Sequence, residues 1–92
     1  MDNVIRPKSI VLPESAQLPD RNTLRPPPNQ FSHMIEAEQA YYFGGIDEAA
    51  PPAGYFSAGT KVLVLRHDGS ECWVADKRGL YVATSCDGLR PL

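Results

Sequence analysis

The side chains best equipped for chemistry are His33, His67, Ser70, Cys72 and Cys86. A metal centre needs ligands that converge on one point, and sequences usually announce it through Cys-x-x-Cys or His-x-x-x-His spacing. Neither spacing occurs, and His67 falls in an expected turn, so both histidines are expected to be solvated and no metal is expected. Ser70, His67 and Asp68 supply the residue types of a nucleophilic triad, but within one turn of chain such a set makes ordinary hairpin hydrogen bonds. Cys86 precedes Asp87, whose charge disfavours the thiolate. Gly44-Gly45 lacks the spacing and the lysine of a phosphate-cradling loop. These residues predict no enzymatic activity and no cofactor. Cys72 and Cys86 are expected as free thiols, with a disulfide between them as the alternative.

Binding is better provided for than catalysis. Tyr41, Tyr42, Tyr55, Trp73 and Tyr81 are the residues expected to form a contact patch, because aromatic anchors offer large area at small entropic cost. The competing reading is that Trp73 and two of the tyrosines complete a thin core. Along a strand, Cys72 and Val74 face one way while Trp73 and Ala75 face the other. Asp47 and Glu48, with Glu36 and Glu38 nearby, would select a basic partner, or they are simply a solvated loop. Arg25-Pro26-Pro27-Pro28 is either a ligand for a polyproline-reading groove or a stiff linker.

The elements that must position these residues lie mostly after residue 40. Residues 1–32 are interrupted by Pro7, Pro13, Pro19 and the triplet at 26–28, through which neither helix nor central strand can run. This arm is expected to be largely extended, with Ser9 to Leu12 as one stretch able to dock. Ser32 to Gln39 is expected to make one or two helical turns with Ser32 as N-cap. Beyond it come five short strands: Gln39 to Phe43, Lys61 to Arg66, Cys72 to Ala75, Leu80 to Ala83 and Leu89 to Leu92. The loop 44–54 has turn composition throughout. Tyr55 and Phe56 are a hydrophobic return, Asp68-Gly69 supplies a hairpin turn, residues 76–79 a second turn, and residues 84–88 a single helical turn. The expected core is Val62, Leu63, Val64, Leu65, Trp73, Val74, Leu80, Val82 and Leu89, each contributing roughly 1.5–3 kcal/mol if buried.

Ninety-two residues allow one small domain. A domain near 60 residues buries only about 60% of its unfolded surface, so an arm, a dimer or a partner is expected to add stability. The net charge is −2; residues 33–92 hold eight acidic and five basic side chains. With no cluster of Lys and Arg, nucleic-acid binding is not expected. No signal-peptide core follows Met1 and no apolar run approaches 18 residues, so the expectation is a cytoplasmic protein without a membrane partner. Five strands at 8–12-residue spacing in so short a chain predict an all-β fold, a small barrel.

The residues Ala40-Tyr41-Tyr42, then Phe56-Ser57-Ala58-Gly59-Thr60, Trp73-Val74-Ala75, Gly79-Leu80-Tyr81-Val82 and finally Leu89 give a pattern that resembles the Src homology-3 type of barrel, in its bacterial branch. The resemblance spans residues 39–92 and implies a five-stranded barrel preceded by an arm over 1–38. In that family an aromatic groove accepts extended, proline-rich peptides, and Tyr42 and Trp73 match groove positions. Val82 stands roughly where the family carries the groove proline, the helical turn has no tyrosine, and Phe43 and Gly44 replace the usual acidic-aromatic pair. The function expected is non-catalytic binding of a protein or peptide through the aromatic face and the 44–54 loop, by a monomer or weak homodimer. The alternatives are a small inhibitor or immunity-type protein that blocks an enzyme, and a structural dimerisation module.

Overall fold

The computed structural model describes residues 19–92. The Ser9 to Leu12 stretch lies outside them. Seven strands form one antiparallel sheet: β1 (His33–Ile35), β2 (Gln39–Tyr42), β3 (Gly54–Phe56), β4 (Lys61–Asp68), β5 (Glu71–Ala75), β6 (Tyr81–Ser85) and β7 (Leu89–Pro91). Their spatial order is β3-β2-β6-β5-β4-β1-β7, and the sheet curls into a half-barrel. Single 3-10 turns occupy Asp20–Asn22 and Cys86–Gly88. Among the described residues no helix is long and apolar enough to cross a membrane.

Local chemistry explains the strand ends. Gly69 takes φ +65° at the tip of the β4–β5 hairpin, a conformation that costs glycine little. The β5–β6 turn is organised by Asp76, which is 3% exposed. Its Oδ1 accepts the Arg78 and Leu80 backbone N–H groups, and its Oδ2 accepts Nε and a terminal nitrogen of Arg78 at 2.9 and 2.7 Å. Gly79 closes the turn at φ +86°, and a Cβ there would meet the Leu24 carbonyl oxygen at 2.5 Å. That crowding arises because Leu24 N–H donates to the Gly79 carbonyl at 2.7 Å.

The curl originates in β4. Its register with β5 shifts between Val64 and Arg66, a bulge that bends the strand and increases its twist. The first part of β4 pairs with β1 and the remainder with β5. Ser32 Oγ accepts the Val64 N–H at 3.0 Å beside the bulge. The interior is built from Ile35, Tyr41, Phe56, Val62, Cys72, Val74, Leu80 and Val82, with Phe43, Val64 and Leu89 packed against them. Leu65, expected inside, is the bulged residue and is 45% exposed.

Three further expectations are corrected. There are seven strands, not five, because residues 33–35 and 54–56 also pair. Ser32 to Gln39 does not form a helix: Ile35 N–H donates to Thr60 O at 2.8 Å and Glu36 N–H to Gly88 O at 2.9 Å. One helical turn cannot sustain itself, whereas β1 captures partners on both sides, β4 and β7, and so joins residues before 39 to the sheet. Finally, Cys72 and Cys86 are not free thiols but a disulfide, with Cα atoms 5.3 Å apart. The turn after β6 folds back on the hairpin tip, where Cys86 N–H donates to Ser70 O at 3.0 Å, and this delivers one sulfur to the other.

Candidate functional site

The strand registers sort the aromatic residues onto two faces. Tyr41 pairs with Thr84 and Gly54, both buried, and its ring packs on Phe56 at 4.7 Å in the core. A Cβ on Gly54 would lie 2.6 Å from the Tyr41 ring carbon that carries the hydroxyl, so glycine is required there for the ring to fit. Tyr41 is 1% exposed and belongs to the interior rather than to a contact patch.

Tyr42, Tyr55, Trp73 and Tyr81 share the opposite face. Arg66 lies across from Trp73, Trp73 across from Ala83, and Ala83 across from Tyr42. Residues directly opposite in a sheet project to the same side, so these four form one row over β4, β5, β6 and β2. Tyr81 is two residues from Ala83 on β6, and Tyr55 opposes Ala40, two residues from Tyr42, so both join that side by the period of two.

Part of this face is a groove of about 380 Å³ lined by Arg21, Asn22, Phe43, Gly44, Arg66, Trp73 and Tyr81. Trp73 and Tyr81 lie with ring centroids 5.2 Å apart at 36°. The Arg66 guanidinium carbon is 5.3 Å from the Trp73 ring centroid, within the range of a cation–π contact. Glu71 locks the platform: Oε2 accepts the Trp73 indole N–H at 2.9 Å, and Oε1 accepts the Ile46 backbone N–H at 3.0 Å. One carboxylate therefore fixes both the indole and the start of the 44–54 loop.

Asn22 closes the inner end and is 1% exposed. Its Nδ2 donates to the carbonyls of Phe43 and Tyr81 at 2.9 and 2.8 Å, while Oδ1 has no partner. The segment before β1 is thereby pinned to β6 and to the residue that follows β2.

The groove's charge comes from Arg21 and Arg66. Asp47 and Glu48 are exposed in the loop beyond Gly44, and Asp47 Oδ1 accepts the Ala49 N–H at 3.0 Å in a local turn. The expected acidic contact residues are thus outside the groove, whose lining is basic. No nucleophile stands beside a general base among the seven lining residues. The displaced pKa values belong to structural groups: burial raises that of Tyr41, opposed by the Arg78 charge, and although burial alone would lower Arg78, its contact with Asp76 holds it above its ordinary value.

Elsewhere, His67 opposes Cys72 on β4 and β5, and His67, Cys72 and Cys86 place their ligand-type atoms within 4.8 Å of one another. Separation along the chain concealed this convergence. His67, expected in a turn, instead lies in β4, because the hairpin turns at Gly69-Ser70 and not at Asp68-Gly69; that one-residue difference sets Arg66 against Trp73 and His67 against Cys72. Arg21, Asn22 and Phe43 carried no signal in the sequence, since their positions depend on docking of the arm.

Comparison with protein-family profiles, curated proteins and solved structures gives no match. The functional reading therefore rests on the geometry of the site.

Proposed function

We propose that this protein is a non-catalytic binding module that receives an extended, acidic segment of a partner protein on its Trp73–Tyr81 face. The observation that carries the reading is the indole of Trp73, held by Glu71 and flanked by Tyr81 and Arg66. A preformed aromatic platform binds without the cost of ordering its own side chains. Aromatic and arginine residues are also those most often dominant in recognition. Arg21 and Arg66 give the groove its preference for carboxylates, and Tyr42 and Tyr55 extend the platform along the sheet.

The likeness of the sequence to Src homology-3 barrels supports an extended ligand, since Tyr42 and Trp73 match that family's groove positions. A binding role remains a reading of the site and not of the fold. The test is selection of displayed random peptides on the folded chain. Acidic sequences are expected to be enriched, with Trp73→Ala weakening their binding by at least 10-fold, a loss of about 1.4 kcal/mol or more. Arg66→Glu should shift the enrichment away from acidic residues. Peptides that bind the Trp73→Ala variant equally well, or a preference for basic sequences, would refute the proposal.

A further inference from the structure

The junction of the β4–β5 hairpin with the Cys86–Gly88 turn carries a second site, independent of the groove. We propose that Cys72, Cys86 and His67 form a redox-gated site for a thiophilic divalent ion of the zinc class, closed while the disulfide is intact and opened by its reduction. The three residues come from three elements, yet their ligand-type atoms lie within 4.8 Å of one another. Tetrahedral zinc, with bonds of about 2.0–2.3 Å to nitrogen and sulfur, sets ligand–ligand separations of roughly 3.5–3.8 Å. Side-chain rotations alone can meet that requirement.

Backbone contacts besides the disulfide bring the three donors together. His67 and Cys72 are opposite each other in the hairpin ladder. Cys86 N–H donates to the Ser70 carbonyl at 3.0 Å, and β6 runs against β5 from Glu71 to Ala75. Cys72 is buried, Cys86 half-buried and His67 exposed, so the imidazole stands on the solvent side. That leaves a fourth, outward position for water. Asp68 and Asp87, each adjacent in sequence to one of the three, add negative charge to the surroundings. Two thiolates and an imidazole suit zinc better than magnesium or calcium, which prefer oxygen donors.

The chemistry balances in two steps. A dithiol reductant transfers two electrons and two protons by thiol–disulfide exchange: the Cys72–Cys86 bond breaks, two thiols form, and the reductant leaves as its own disulfide. The divalent ion then displaces both thiol protons and binds the two thiolates and neutral His67, releasing two protons to solvent. Reoxidation by a small-molecule disulfide would expel the ion: the two thiolates give up two electrons, which reduce that disulfide to two thiolates, and the pair left behind forms the Cys72–Cys86 bond, so neither sulfur remains an anionic ligand.

The experiment uses the full chain, reduced with a phosphine, freed of reductant under anaerobic conditions, and titrated with Co²⁺ and then Zn²⁺. The reduced chain is expected to develop thiolate-to-cobalt charge-transfer absorption with one equivalent of Co²⁺, and Zn²⁺ should bleach it. The oxidised chain should show none. His67→Ala should weaken Co²⁺ binding by at least about 10-fold, the lower bound seen when even a supporting partner of a metal ligand is lost. Circular dichroism follows the fold in parallel. If reduction unfolds the chain, its recovery on adding Zn²⁺ supports the site. No charge-transfer band, the same titration for His67→Ala, or a reduced chain that stays unfolded with Zn²⁺ would each overturn it.

Discussion

The Tyr41 hydroxyl is buried without a hydrogen-bond partner of acceptable geometry, and its ionisation is expected to contribute to loss of stability at alkaline pH. Burial raises its pKa above 10.0 in the folded state, with the Arg78 charge pulling the other way. The unfolded chain ionises first, so the stabilisation is complete below about pH 10 and is lost as pH rises through the higher folded value. Tyr41→Phe removes both the titration and an unsatisfied polar atom. We expect its stability at pH 7 to lie within about 1 kcal/mol of wild type and its stability above pH 10 to fall less steeply, as read by denaturant titration at several pH values. Identical alkaline slopes would contradict this. Adjacent tyrosines on a strand cannot share a face, so Tyr41 and Tyr42 cannot both belong to the expected contact patch, and it is Tyr41 that turns inward. Tyr81 was legible as a contact aromatic, whereas Trp73, expected in the core as much as in a contact patch, is half-buried on the outer face, and the buried Asn22 amide that pins Phe43 and Tyr81 had no signature in the sequence.

At the scale of elements, the turns were easier to read than the strands they join. Residues 76–79 and the positive-φ Gly69 were legible because positive φ and side-chain acceptors are local chemistry, although the β4–β5 turn falls at Gly69-Ser70, one residue later than Asp68-Gly69 implied. β1 was not, because three residues become a strand only when Lys61–Val62 and Leu89–Pro91 arrive on either side. The β5–β6 turn depends on a buried carboxylate that accepts four hydrogen bonds, two from backbone and two from Arg78. Asp76→Ala is expected to cost about 3–5 kcal/mol, the range for breaking one side of a buried ion pair. Thermal or urea unfolding measures this. A loss under 1 kcal/mol would mean that Gly79 and the Leu24 contact hold the turn unaided. Arg66 and Trp73 on the neighbouring β4–β5 hairpin lie on the outer face, so the turn and the groove make separable demands.

For the molecule as a whole, a small interior is supplemented by a covalent link and by a segment before β1 that docks through Thr23, opposite Leu80. The all-β class was legible from strand spacing. The seven-stranded order and the disulfide were not, because both depend on contacts between distant parts of the chain. The Cys72–Cys86 link closes a loop spanning a sequence separation of 14 residues, which is worth roughly 3 kcal/mol through the entropy it removes from the unfolded chain. Reduction in metal-free buffer should lower the unfolding free energy by about that amount, and an unchanged denaturant midpoint would contradict the estimate. The groove account faces its most direct test in amide and indole chemical-shift mapping of the oxidised full chain as an acidic peptide, obtained by selection, is added. The account predicts that shifts concentrate on the Trp73 indole N–H and on the amides of Arg21, Phe43, Arg66 and Tyr81. Shifts confined to the far side of the sheet, or to the exposed Asp47–Glu48 turn, would contradict it.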